Sequence, residues 1–385
     1  MKVVTAIDSF KGSMSSIEAG YAVAEGFKRA NHTVEVAVRP LADGGEGTVE
    51  ALIEGMNGER HEVVVTGPLG SPVSCAYGII RDTMTAVVEM SGAAGITLVA
   101  RNELNPLNAT TYGVGEVIKD AINKGCRRFI VGIGGSATND GGVGMLQALG
   151  YEFLDKAGRQ IPFGAKGLKE LETITDTYVI PELKDCEFMV ACDVTNPLCG
   201  TDGCSAVYGP QKGATPSMIM DMDKWLGYYA AASREKYPQA DPKYPGTGAA
   251  GGLGFAFLTY TNAKLQSGIN IVLEETRLED YIKDADLVVT GEGMLDFQTA
   301  MGKAPVGVAK LAKKYGKPVI AFAGGVTEQA VECNRNGIDA FFPIVRGVTT
   351  LDEAMDNTNA KNNLAAAAEQ VIRLMLINIG GTSHE

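Results

Sequence analysis

Short β-rich runs recur along the chain, each ending in or near Gly, Asp or Ser, and most are followed by a helical pattern. They cover residues 3–7, 34–38, 129–133, 188–191, 287–290, 319–323 and 340–345. Strands separated by helices must cross over to lie side by side, so this rhythm predicts parallel α/β sheets. The helix after the first strand is signalled most clearly. Ser15 and Glu18 have the spacing of a capping box, and Ile17, Tyr21, Ala24 and Phe27 share one face. Further helices are expected at about 46–55, 112–123, 138–149, 299–315 and 362–378.

One stretch breaks the rhythm. Residues 62–66, 73–80 and 86–90 alternate around Gly-Pro-Leu-Gly-Ser-Pro and Arg-Asp, which predicts antiparallel hairpins and a change of domain. A second change is placed near 275–285, where an acidic segment precedes a fresh strand. With 385 residues the chain holds two domains at the usual ~100–200 residues each. The expected arrangement is discontinuous: residues 1–60 plus 285–385 form one α/β domain, and 61–284 are inserted as a second.

Composition excludes several chemistries. There are only three histidines, His32, His61 and His384, and none neighbours another, so neither a histidine zinc site nor a Ser-His-Asp triad is expected. Catalysis must run on carboxylates, lysines, hydroxyls and backbone amides. With 34 basic against 46 acidic residues the net charge is −12, and no Lys/Arg-rich run is present, so neither nucleic acid nor an anionic membrane is expected as the main partner. Seven cysteines without a C-x-x-C read as reduced thiols. No signal-like segment and no run of ~18 apolar residues is seen, so a soluble, cytoplasmic protein is expected. Glycine stands at 48 of 385, about 12% against a usual ~7%, and its clustering is more telling than its number.

Five polar, glycine-rich clusters follow strands, where α/β proteins place their sites. Asp8-Ser9-Phe10-Lys11-Gly12-Ser13 puts a carboxylate and an ammonium three residues apart beyond an ordinary turn. Ala42-Asp43-Gly44-Gly45-Glu46-Gly47-Thr48 permits close backbone approach and suits Mg²⁺ or substrate hydroxyls better than bare phosphate, although Asp and Glu also suit a helix start. Residues 132–144 run from a strand through glycines, Ser136, Thr138 and Asn139 into a helix, which predicts an anion nest at a helix start. This run reads G-x-G-x-x-A, a poor dinucleotide fingerprint, and the chain has no Walker motif. Asp193, with Thr195 and Asn196, ends another strand as a metal ligand, a proton acceptor or an Asx-turn, and the later 209–213 offers Lys212 between glycines. Last, Glu292 and Asp296 stand four apart on a glycine-flexed loop, where Asp296 or Thr299 is also suited to capping the next helix.

Together these supply what phosphoryl transfer needs: metal carboxylates, an anion cradle, a cation and a base for the attacking hydroxyl. The chain also closely resembles the bacterial type-1 glycerate kinase family, through residues 8–13, 42–48, 134–142, 193–198, 209–213 and 291–308 in order. The resemblance implies a flavodoxin-like (Rossmann-like) parallel-sheet domain interrupted by a larger α/β domain with a mixed sheet, with the site in the cleft between them. It also implies ATP- and Mg²⁺-dependent phosphorylation of D-glycerate by a monomer or homodimer, with 2-phosphoglycerate preferred over 3-phosphoglycerate as product. An NAD(P)-dependent hydroxyacid oxidoreductase and a non-catalytic small-acid sensor are the remote alternatives.

On that resemblance Gly134, Gly135, Ser136, Thr138 and Asn139 hold the nucleotide. Asp193, with Asp43 or Asp296, holds the metal. Lys11 binds the glycerate carboxylate or the transferring phosphoryl, Asp8 or Asp193 takes the hydroxyl proton, and Ser9, Asp43, Glu46, Lys212 and Glu292 contact substrate. Two positions depart from the family's pattern: Ile7 replaces a usual Pro and Met294 a usual Arg.

Overall fold

The computed structural model describes residues 1–42 and 47–377. Asp43 and Glu46, two of the expected site residues, lie outside the described residues, as does His384. The strands are β1 (Lys2–Ile7), β2 (Glu35–Pro40), β3 (Gly58–Thr66), β4 (Pro72–Ile80), β5 (Thr85–Glu89), β6 (Arg128–Gly132), β7 (Glu152–Leu154), β8 (Thr173–Thr175), β9 (Glu187–Ala191), β10 (Asn262–Gln266), β11 (Leu287–Leu295), β12 (Val319–Val326) and β13 (Ala340–Pro343). Among the described residues, 1–42, 50–56 and 272–377 form one compact unit, and 47–49 and 57–271 form another.

The first unit carries a five-stranded sheet in the order β2-β1-β11-β12-β13, with every pair parallel. Chain progress runs one way from β1 to β2 and the other way from β11 to β13. The order therefore reverses between β1 and β11, and their carboxyl ends flank the switch point. Ser15 caps the helix Ser16–Ala30 through the expected box with Glu18. That helix packs on Asn357–Leu376, and Phe27, Leu364 and Ile372 join Val3, Ile7 and Phe322 in the core. The two helices approach at Gly26, where a Cβ would stand 2.1 Å from the Ala365 carbonyl oxygen. A larger residue there would force the helices apart.

The second unit has a six-stranded mixed sheet, β10-β9-β6-β5-β4-β3. β3, β4 and β5 are antiparallel neighbours, as their alternating pattern predicted, while β5, β6, β9 and β10 are parallel. Phe129, Phe188, Phe255 and Phe257 are fully buried at its centre. The fold class is thus the α/β architecture expected from the sequence, one parallel sheet and one mixed. No described helix is long and apolar enough to cross a membrane, and all seven cysteines are free.

Four segments differ from expectation. β11 continues through Gly291 and Gly293 to Leu295, because those residues stay in register with Phe322 to Val326 of β12; the supposed flexible loop is strand. Gly291 tolerates no side chain, since a Cβ would lie 2.1 Å from the Phe322 carbonyl oxygen. The helix expected at 138–149 is only Val143–Ala148. Gly141 and Gly142, at φ of 66° and 75°, hold the chain out of the helix until then. The helices Pro216–Lys236 and Ala249–Tyr260 were not anticipated.

Candidate active site

In the second unit the loop after β6 is held from several sides. Its front is the arc Gly134, Gly135 and Ser136: the two glycines are exposed, and Gly135 has φ 71°. The N–H groups of these three residues meet no acceptor among the described residues. An anion finds donors there without displacing a protein acceptor. Behind the arc, the Ile96 N–H donates to the Gly135 carbonyl at 2.8 Å and the Ala137 N–H to the Ala94 carbonyl at 2.9 Å.

Thr138 and Asn139 are fully buried, so they stand behind the arc and do not line it. The Asn139 amide donates to Ser205 Oγ at 2.8 Å. Lys212 is 2% exposed, and its ammonium donates to Ser136 Oγ at 2.8 Å and to the Thr138 carbonyl at 2.6 Å. The lysine expected to touch substrate is therefore turned to the loop's own atoms. Burial pulls its pKa down to about 8, opposed by the nearby Cys204 and Asp140.

Asp140 completes this support, and the sequence reading gave it no role. Its carboxylate is wholly buried and accepts from the Thr111 N–H at 2.8 Å, Thr111 Oγ1 at 2.9 Å, the Gly142 N–H at 3.1 Å and the Gly144 N–H at 3.3 Å. Burial pushes its pKa up against those donors, which pull it down. Four donors on one buried carboxylate fix where the chain leaves the loop.

A second glycine run, residues 247–254, also escaped notice. Ala250, Gly251 and Gly252 are left-handed, at φ of 51°, 66° and 95°. They meet the loop directly: the Gly141 N–H donates to the Gly251 carbonyl at 2.9 Å, and a Cβ on Gly251 would stand 2.1 Å from the Thr138 carbonyl oxygen. Left-handed alanine is strained, and such strain persists only where its surroundings over-determine it. The signal available in the sequence was the density of Gly and Ala at 248–254.

Asp193, beyond the end of β9, is exposed, and its Oδ1 accepts from the Gly268 N–H at 3.2 Å. That bond orients the carboxylate from the neighbouring strand end.

In the first unit, the ends of β1 and β11 bring five expected residues to one pocket of about 420 Å³. Asp8, Ser9, Lys11, Glu292 and Asp296 line it, together with Lys303. Asp8 is 7% exposed, and its Oδ1 accepts from the Ser9 N–H at 2.7 Å. Its own N–H donates to the Gly291 carbonyl at 2.9 Å, which ties the β1 loop to β11. Lys11 is exposed. Asp296 caps the helix Phe297–Ala300, with Oδ1 accepting from the Gln298 and Thr299 N–H groups at 2.8 and 3.1 Å. Thr299 Oγ1 also donates to the largely buried Glu292. Carboxylates, an ammonium and hydroxyls thus share a pocket at the switch point of a parallel sheet, which equips it for a small polar anion and for proton transfer from a hydroxyl.

Comparisons with known proteins agree along the whole length. A profile described as the glycerate kinase family matches residues 3–376. The glycerate 2-kinase of Escherichia coli strain K12 is 44% identical over 379 residues, covering 98% of this chain and 99% of that protein. The glycerate kinase of Bacillus subtilis strain 168 is 46% identical over 357 residues, covering 93% of this chain and 94% of the other. The crystal structure of a candidate glycerate kinase 2 from Salmonella typhimurium LT2 superposes with a TM-score of 0.91 at 44% identity, covering 97% and 98% of the two chains.

Proposed function

The chain belongs to the glycerate kinase family and is a kinase, and from that membership we propose that it transfers the γ-phosphoryl group of ATP to the 2-hydroxyl of D-glycerate, giving 2-phosphoglycerate and ADP. The observation that carries this reading is the pocket of the first unit, which gathers Asp8, Lys11, Glu292 and Asp296 at the β1/β11 switch point.

In the proposed reaction Lys11 binds the glycerate carboxylate or the transferring phosphoryl. The attacking hydroxyl oxygen forms a bond to the γ-phosphorus while the bond to the β–γ bridging oxygen breaks, and ADP carries that oxygen away. The hydroxyl proton passes to Asp8 or Asp193. Gly134, Gly135 and Ser136 offer N–H groups to the nucleotide phosphates, with Thr138, Asn139 and Lys212 keeping the arc in shape.

Mg²⁺ fits the donor set. Asp193 and Asp296 supply the hard oxygens this ion takes, and each already has Oδ1 fixed by backbone N–H groups. Asp43 is a third candidate outside the described residues. An ion of this kind would be held by one or two carboxylates together with phosphates and water. When bound, the ion neutralises charge on the β- and γ-phosphates.

The test is phosphorus NMR of the purified protein with ATP, Mg²⁺ and D-glycerate. Glycerate-dependent ADP formation with 2-phosphoglycerate is expected. The 3-phosphate would overturn the regiochemistry alone, and no consumption of ATP would overturn the reading.

A further inference from the structure

The pocket of the first unit is larger and more apolar than a three-carbon hydroxy acid needs. Its volume of about 420 Å³ falls within the ~300–1,000 Å³ of drug-sized ligand sites. Asp8, Ser9, Lys11, Glu292, Asp296 and Lys303 line its polar part; Phe10, Met294, Ile344, Val345, Leu351 and Met355 form an apolar wall beside them. Glycerate carries a carboxylate and two hydroxyls on three carbons, so it has no apolar face to set against that wall.

The wall is also not packed away in the core. Leu351 is 73% exposed and Met294 51% exposed. Apolar side chains left open around a polar site mark a place where a ligand completes the packing. Two of them are methionines, whose unbranched, polarizable chains adapt to a flat ring and make favourable sulfur–aromatic contacts. Met355 is already laid against the β1 loop, its Cε 2.9 Å from where a Cβ on Gly12 would be. Asn363 adds an amide, a donor and an acceptor together, and Lys303 adds a cation.

Of the two proposed substrates, only the nucleotide has a flat, largely apolar part whose edge carries hydrogen-bonding groups. We propose that this pocket seats the purine base of the donor nucleotide, with Met294, Leu351 and Met355 against the ring and Asn363 at its edge. This assignment rests on ATP being the donor.

Leu351→Glu in the full-length protein tests it. The residue is exposed, so folding should survive, which a thermal melt checks. The variant should raise the KM for ATP by ~10-fold or more, since a carboxylate in the ring's place is desolvated on binding. The KM for glycerate should stay within about 2-fold, a change worth less than ~0.5 kcal/mol. Adenosine, which has the base but no phosphate, should compete with ATP in the wild type and bind the variant ~10-fold less tightly. A rise in the KM for glycerate with an unchanged KM for ATP would overturn the proposal and point to a hydroxy acid with an apolar tail. Should the protein consume no ATP with glycerate, the kinase reading fails by itself. Saturation-transfer NMR of adenosine on wild type and Leu351→Glu still decides the pocket: weaker binding to the variant supports the assignment, and equal or absent binding to both overturns it.

Discussion

Two glycine-rich sites of similar composition are built in opposite ways. The loop after β6, joined by Lys212, and the loops after β1 and β11 each bring together glycines, hydroxyls, carboxylate and lysine. In the second unit the charged groups are buried and serve the loop: Asp140 collects four donors, and Lys212 spans Ser136 and Thr138. In the first unit the corresponding groups face a pocket, with Lys11 exposed and Asp8 at the pocket wall. What the loop after β6 leaves open is backbone; what the loops after β1 and β11 leave open is side chain. A buried framework allows N–H groups to wait unpaired at a fixed spacing, whereas proton transfer needs a carboxylate within reach of substrate.

The contrast can be broken by exchanging what each site should tolerate. The largest effect is expected for Asp140→Ala, which strands the Thr111, Gly142 and Gly144 N–H groups and should cost about 3 kcal/mol of stability in urea unfolding. A loss under 1 kcal/mol would mean the loop is not held from behind.

Lys212 comes next. Its pKa falls from 10.5 unfolded to about 8 folded. Between those values the unfolded chain binds the extra proton, so stability from this group rises with pH, by at most about 3 kcal/mol, and is flat below pH 8. Unfolding of wild type and Lys212→Met at pH 7, 8.5 and 10 should show the difference moving toward wild type as pH rises. A constant difference would contradict a charged, buried ammonium.

Asp8→Asn should behave in the opposite manner to Asp140→Ala. Asparagine keeps an oxygen for the Ser9 N–H, so stability should move by less than ~1 kcal/mol, while kcat falls ~10²-fold if Asp8 takes the proton. Equal turnover would hand that role to Asp193. The smallest effect is expected at Ala250, where glycine relieves the left-handed backbone and should raise stability by about 1 kcal/mol with turnover unchanged.

Much of the fold was legible because it is local. Strand-then-helix alternation, the Ser15/Glu18 cap and the period-2 runs of β3 to β5 depend on neighbours in sequence, and all appear in the structure. Regions where partners come from far along the chain were read poorly. Gly291 and Gly293 look like a flexible loop until β12 is placed beside them, and residues 249–254 look unremarkable until they meet Gly141 and Thr138.

The site divides along the same line. The sequence alone determined the α/β class and the chemistry left to a chain with three scattered histidines. It also carried the family, which the comparisons bear out. Only the tertiary structure decided which charged residues serve the loop and which line a pocket. Lys11 and Lys212 sit in similar glycine-flanked runs, yet one is exposed and the other is 2% exposed. Burial is a property of what packs around a residue, and for Lys212 those neighbours are Ser136 and Thr138, more than 70 positions away in the chain.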